Sequence, residues 1–444
     1  MIVKPAKRIH GAIVLPGDKS ISHRAAMIAA IAKGTSRISN FANSSDCAAT
    51  LSCLRQLGVA IERNKDDLLV HGAGLRGLRQ PDAPLDCGNS GTTMRLLAGI
   101  LAGQEFKSTL TGDASLRSRP MQRIIEPLTM MGAIINSDDG HAPLTITGQR
   151  FLKAISYDLL VASAQVKSCI LLAGLNAKGC TEVTEEFITR DHTERLLNHL
   201  RVPVETRSGT REGSQTTSVK GPARFRAHFS GRARDLSIPG DISSAGYFLA
   251  AAALLPDSSI EITDVGVNPT RTLYLRQLQA CGLDVEIRDT RNEFNEPVGT
   301  IRARSSHGRF ETGSATPLSL RSAIVPQLID ELPLLAVVGS QIAGGIEIRD
   351  AAELRVKESD RIAATVQNLR AMGAKVEEFK DGLRVAGPVL LRGTAIDPRG
   401  DHRIAMAFTV AALIARGETE IKGAECVAVS FPEFFELLES VIER

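Results

Sequence analysis

The chain of 444 residues has no tryptophan and only three tyrosines, so a surface that stacks bases on aromatic rings is not expected. Its net charge of +3 is too mild for a nucleic-acid face, and any anion binding must be local. The seven cysteines (47, 53, 87, 169, 180, 281 and 426) are odd in number and contain no Cys-x-x-Cys pair. That argues against a disulfide framework or a zinc site and for reduced thiols in the cytoplasm. The nine histidines show no His-x-x-x-His or Cys/His ligand spacing, and no metal is expected. No apolar run approaches the roughly 18 residues of a membrane span. The first ten residues carry no apolar segment behind their basic ones, which argues against secretion.

What is present is repetition. Leu15-Pro-Gly-Asp18 and Ile238-Pro-Gly-Asp241 lie 223 positions apart, and each runs into a helix of small apolar residues. Polar turns entering such helices recur near 18–32, 88–102, 162–175, 241–254, 331–342 and 400–414. Most of these units also contain a later helix end with glycine and then an alternating strand, as in Leu57-Gly-Val, Met131-Gly-Ala, Cys281-Gly-Leu and Met372-Gly-Ala. The third instance, Leu200-Arg-Val, lacks the glycine. The pattern predicts an α/β protein of six strand–helix–strand–helix–strand–strand units in two halves. Helix N-termini present unpaired N–H groups and positive dipole ends, so converging starts make an anion site.

The entrance segments carry the chemistry. Gly17-Asp-Lys-Ser-Ile-Ser-His-Arg24 places Lys19, Ser20 and Arg24 around a first helical turn. It is not a nucleotide-triphosphate loop, because Ile13 and Asp18 stand where that motif needs glycines. In Asp86-Cys-Gly-Asn-Ser-Gly-Thr-Thr-Met-Arg95, Gly91 lets a ligand approach the backbone, and Asn89 or Thr92 can cap the helix. Arg119 precedes a proline suited to a first helical position and can chelate a carboxylate or phosphate. Ser163, Ala164 and Gln165 open another helix, and Thr189-Arg-Asp-His-Thr-Glu194 brings Arg190 to the start of the next. Lys357 and Arg361, four apart, are expected on one helical face beside Glu358. Asp330 precedes a further entrance, and Arg403 sits at the last. Taken singly, each is equally a cap or a solvated charge. Together they suit two anionic substrates and acid–base chemistry.

From about Pro5 to Phe435, these motifs in this order resemble the 3-phosphoshikimate 1-carboxyvinyltransferases, the EPSP synthase family. The resemblance implies a two-domain inside-out α/β barrel with three βαβαββ repeats per domain and a cleft between them. Residues 1–17 with 236–444 would form one domain and 18–235 the inserted one, with crossings near 15–18 and 235–241. It implies that Lys19, Ser20, Arg24, Ser163, Ala164, Gln165, Asp330 and Lys357, with Arg190 a less certain addition, hold shikimate 3-phosphate. Lys19, Asn89, Gly91, Arg119, Gln165, Arg361 and Arg403 would hold phosphoenolpyruvate. Asp330, Glu358 and Lys19 would be catalytic, with no metal or organic cofactor, in a cytoplasmic monomer. Because Gly91 adds no methyl group, glyphosate is expected to compete with phosphoenolpyruvate. The related UDP-N-acetylglucosamine enolpyruvyltransferases are the alternative. They usually carry Lys-Asn where this chain has Lys19-Ser20, and a cysteine where it has Ala114. Three departures stand out: Val427-Ala-Val429 in place of a lysine before Ser430-Phe-Pro432, Arg190 in place of a tyrosine, and Glu353 in place of an asparagine.

Overall fold

The computed structural model describes residues 1–64, 67–209, 211, 213–222, 234–305 and 316–444. It divides into two compact units. The framing unit comprises Met1–Pro16, Gly240–Arg291 and Pro297–Arg444; the inserted unit comprises Gly17–Pro239 together with Asn292–Glu296. Each has its own apolar core. No single helix among the described residues is long and apolar enough to cross a membrane.

Three small-residue helices run through the inserted unit: α1 (Lys19–Ile31), α2 (Gly91–Ala102) and α3 (Ala164–Gly174). Three run through the framing unit: α4 (Ile242–Leu254), α5 (Leu332–Gly339) and α6 (His402–Ile414). They are apolar nearly all round and correspondingly buried, as such helices must be. Asp18, Ser90, Ser163, Asp241 and Asp401 cap five of them, each side chain accepting a hydrogen bond from its own helix's backbone. On α2 the cap is Ser90, which is neither of the two residues expected from the sequence, Asn89 and Thr92.

The described strands form six sheets. One reads Leu85–Asp86, Lys107–Thr111, His141–Thr147, Ile134–Asp138 in spatial order, its first pair parallel and the others antiparallel. Leu318–Leu320, Ile346–Ile348, Gly382–Val385 and Val376–Phe379 repeat that arrangement. Two sheets borrow a strand from far along the chain. Arg8–Val14 runs parallel to Ser259–Gly266, and Arg234–Ser237 runs parallel to Lys33–Ser39. The last sheet is reduced to Ala395–Ile396, Thr419–Ile421 and the N-terminal Ile2–Val3.

Beside the two chain boundaries at 16/17 and 239/240, the Asp18 N–H donates to the Pro239 carbonyl at 2.7 Å, and the Asp241 N–H donates to the Pro16 carbonyl at 3.0 Å. The helix-end glycines 58, 132, 282 and 373 have φ of 85°, 103°, 94° and 95°. That left-handed conformation is the one glycine adopts without penalty. In the unit lacking the glycine, Arg201 takes φ 60° instead.

Candidate active site

In the inserted unit, the Asp18 cap starts α1 so that Lys19, Ser20 and Arg24 occupy its first turns. Lys19 Nζ lies 2.9 Å from Asp46 Oδ2, on the helix Ser45–Gln56. Arg24 is buried; it donates from Nε to Thr193 Oγ1 (2.8 Å), from one terminal nitrogen to the Ser20 carbonyl (2.9 Å) and from the other to Ser168 Oγ (3.0 Å). Arg190 Nη1 reaches Ser20 Oγ at 3.5 Å. Arg190 lies just before the helix His192–His199, which begins three residues after Thr189. Beneath these cations, His23 is buried against Thr50 at 2.7 Å. Burial first, then the nearby charges of Lys19 and Arg24, push its pKa well below the usual histidine range.

A second group gathers at the start of α2. Arg119 donates to Asn89 Oδ1 at 2.6 Å, while the Asn89 amide donates to Asp113 at 2.7 Å. Arg119 lies ahead of the helix Gln122–Met130, so Pro120 is outside that helix and not at its first position. Arg95 donates to Gln165 Oε1 at 2.6 Å, and the Gln165 amide donates to Thr92 Oγ1 at 2.9 Å. A Cβ on Gly91 would stand 2.9 Å from Arg95 Nη1 and 3.4 Å from Arg119 Nη1. The glycine thus leaves the backbone open beside two guanidinium groups. Ser163 caps α3 through the Val166 N–H at 3.4 Å, with Ala164 as the first helical residue.

In the framing unit, Arg361 is 1 % exposed and surrounded by carboxylates. Its Nε lies 2.8 Å from Asp401 Oδ2, and its Nη2 lies 2.5 Å from Glu358 Oε2. Its Nη1 lies 3.5 Å from Asp330 Oδ1. Arg403 pairs with Asp330 Oδ2 at 3.2 Å and donates to the Asp330 carbonyl at 3.0 Å. Burial works against both positive charges. The carboxylates outweigh it, and both arginines have raised pKa values.

Lys357, Glu358 and Asp360 do not continue a helix. Asp360 caps the helix Arg361–Ala371 through the Ala363 N–H at 2.9 Å, so Lys357 and Glu358 fall in the preceding turn and share no helical face with Arg361. Lys357 is 30 % exposed and lies 3.9 Å from Glu353. Desolvation lowers its pKa in spite of Glu353, Asp330 and Glu358. Lys422, downstream of these groups, is exposed. Among the described residues, no three His, Cys, Asp or Glu side chains form a metal-binding group.

A family model for EPSP synthase (3-phosphoshikimate 1-carboxyvinyltransferase) matches residues 3–438. The chain belongs to the EPSP synthase family. The chain is 50 % identical over 443 residues to the 3-phosphoshikimate 1-carboxyvinyltransferase of Koribacter versatilis, covering 100 % of this chain and 99 % of that one. The Salinibacter ruber protein of the same name is 48 % identical over 444 residues, with 99 % and 98 % covered. The solved EPSP synthase of Acinetobacter baumannii superposes with a TM-score of 0.82 at 40 % identity, covering 99 % of this chain and 97 % of that one.

Within this EPSP synthase family chain, several polar partners went unselected in the sequence. Arg95 closes a motif already singled out, and Asp401 stands two residues before Arg403, so both were within reach. Asp46 and Glu331 carry no local signal. Asp46 pairs with Lys19 across 27 residues, and Glu331 accepts from Ser243 Oγ across 88.

Proposed function

We infer that this chain transfers the enolpyruvyl group of phosphoenolpyruvate to the 5-hydroxyl of shikimate 3-phosphate, releasing phosphate. The observation that carries the reading is the full-length match to 3-phosphoshikimate 1-carboxyvinyltransferases. The UDP-sugar alternative is less supported.

On this reading, Lys19, Ser20, Arg24, Arg190, Ser163, Ala164, Gln165, Asp330 and Lys357 hold shikimate 3-phosphate. Lys19, Asn89, Gly91, Arg119, Gln165, Arg361 and Arg403 hold phosphoenolpyruvate. Asp330 takes the 5-hydroxyl proton as that oxygen bonds to C2 of phosphoenolpyruvate. Glu358, with Lys19, delivers a proton to C3 and makes it a methyl group. A methyl proton then returns, the C2–O bond to phosphate breaks, and the C2=C3 double bond re-forms. The guanidinium groups orient the phosphate and carboxylate and hold their charge throughout. Arg361 and Arg403 also fix Asp330 in place from two sides, at 3.5 and 3.2 Å. The two compact units serve as the family's two domains, and the enzyme works as a cytoplasmic monomer that glyphosate inhibits in competition with phosphoenolpyruvate.

The test is phosphate release on mixing the protein with shikimate 3-phosphate and phosphoenolpyruvate. Release only with UDP-N-acetylglucosamine would overturn the reading. Asp330→Asn should bind both substrates and lose at least about a hundredfold in kcat. Unchanged turnover would remove Asp330 from the mechanism.

A further inference from the structure

Behind the arginines of the inserted unit lies a buried ionic group that the reaction does not use. The Lys167 side chain is 0 % exposed, and its Nζ lies 2.8 Å from Glu185 Oε1 and 2.8 Å from Glu194 Oε1. Glu185 Oε2 in turn accepts from Thr189 Oγ1 at 2.6 Å and from the Thr189 N–H at 3.2 Å. Stability is a poor reason for such a group. Desolvating each ion costs several kcal/mol, and well-packed apolar side chains usually serve a core equally well or better.

What the group supplies is registration. Lys167 sits on α3, Glu185 ends the strand Ala177–Glu185, and Glu194 lies in the first turn of the helix His192–His199. The residues adjoining two of these ions are Ser168 and Thr193, whose hydroxyls meet at 2.7 Å. Those are the hydroxyls that the Arg24 guanidinium grips, at 3.0 and 2.8 Å. Thr189, held by Glu185, immediately precedes Arg190.

We propose that Lys167, Glu185 and Glu194 are positioning residues for the shikimate 3-phosphate end of the site, locking α3 against the start of the helix His192–His199 so that Arg24 and Arg190 are aimed before substrate arrives. The proposal rests on the assignment of Arg24 and Arg190 to that substrate. Prepaid orientation shows as affinity for one substrate, not as a general loss of activity.

The experiment measures kcat, both KM values and Tm for the wild type, Arg24→Ala, Lys167→Met and a charge-free triple variant, Lys167→Met/Glu185→Gln/Glu194→Leu. Lys167→Met should raise KM for shikimate 3-phosphate about tenfold or more, with kcat and KM for phosphoenolpyruvate within about threefold. The triple variant keeps the test open should Lys167→Met not fold. It should recover wild-type Tm yet keep the raised KM. Recovery of KM together with Tm would show a stability element only and overturn the proposal. So would unchanged KM in the Lys167 variants beside a raised KM in Arg24→Ala, or unchanged KM in Arg24→Ala itself. A wild type that does not turn over this substrate pair would overturn the functional reading instead.

Discussion

At the start of α1, Asp18 caps the helix and Lys19 and Arg24 follow; at the start of α4, Asp241 caps in the same way and Ile242 and Tyr247 stand in their places. The first pair of side chains meets polar groups: Lys19 reaches Asp46, and Arg24 reaches three oxygens. The second pair packs. Ile242 is buried, and Tyr247 lies edge-on to Phe434 with ring centroids 5.7 Å apart. What remains polar at α4 is turned inward, where Ser243 donates to Glu331 at 2.5 Å and accepts from Arg271 at 2.8 Å. The repeated helix start thus keeps its cap in both copies, while the next turn is polar and hydrogen-bonded in one and apolar and packed in the other.

The sharpest way to break the comparison is to substitute the residue that follows each cap. Lys19→Ile should lower kcat/KM by on the order of a hundred- to a thousandfold, the usual cost of removing a charge from a transition-state site. Ile242→Val should cost about 1 kcal/mol of stability and leave turnover unchanged. Steady-state kinetics beside denaturant melts separates the two, and equal kinetic losses would end the distinction.

Next in size is the pair of glycines. A Cβ on Gly17 would sit 1.8 Å from the Asn40 carbonyl oxygen, whereas one on Gly240 would sit 3.2 Å from Leu15 Cβ. Gly17→Ala must move backbone and should cost about 3 kcal/mol; Gly240→Ala should cost no more than about 1. Comparable denaturation midpoints for the two variants would contradict this.

Ser243→Ala leaves Glu331 and Arg271 without their shared hydroxyl. It should destabilise by about 2 kcal/mol while kcat stays within about threefold, if α4 supports and does not react. A large kinetic loss would instead place Ser243 in the chemistry.

The smallest effect is pH-dependent. His23 on α1 has a folded pKa well below its unfolded value near 6.5, so the unfolded chain binds the proton first. The stability it contributes is complete above pH 6.5 and falls by about 1.4 kcal/mol per pH unit below that, until its folded pKa is reached. α4 has Gly246 at the matching position and no such dependence. Chemical denaturation of wild type and His23→Gln between pH 7 and 5 should show the variant's slope flatter; parallel slopes would exclude His23 as the source.

Much of this contrast is readable in the sequence because it depends on local spacing. The Pro-Gly-Asp starts, the helix-end glycines and the basic residues at helix entrances all act within a turn or two of where they stand. What local spacing does not carry was missed. The spacing of Lys357 and Arg361 points to one helix, but the preceding segment ends at Val356 and Asp360 caps the helix that Arg361 begins. Nothing beside Lys167 signals its partners, since Glu185 and Glu194 lie 18 and 27 residues away. Arg201 shows the opposite limit. The backbone there adopts a glycine's conformation without the glycine, so the structural rule outlasts its sequence signal.

The long-range strand pairs bear on the order in which the chain can fold. Arg8–Val14 is among the first segments made, yet its parallel neighbour Ser259–Gly266 comes some 250 residues later. At roughly 5–20 residues per second on the ribosome, the strand waits on the order of tens of seconds with an edge unpaired. Arg234–Ser237 is the later half of the same bargain, since Lys33–Ser39 cannot complete that side of its sheet until it emerges. Cutting the gene between Pro239 and Gly240 would therefore leave the framing unit without Arg8–Val14, while the inserted unit kept both Lys33–Ser39 and Arg234–Ser237. The strongest demand for folding assistance falls between synthesis of the first strand and arrival of the last.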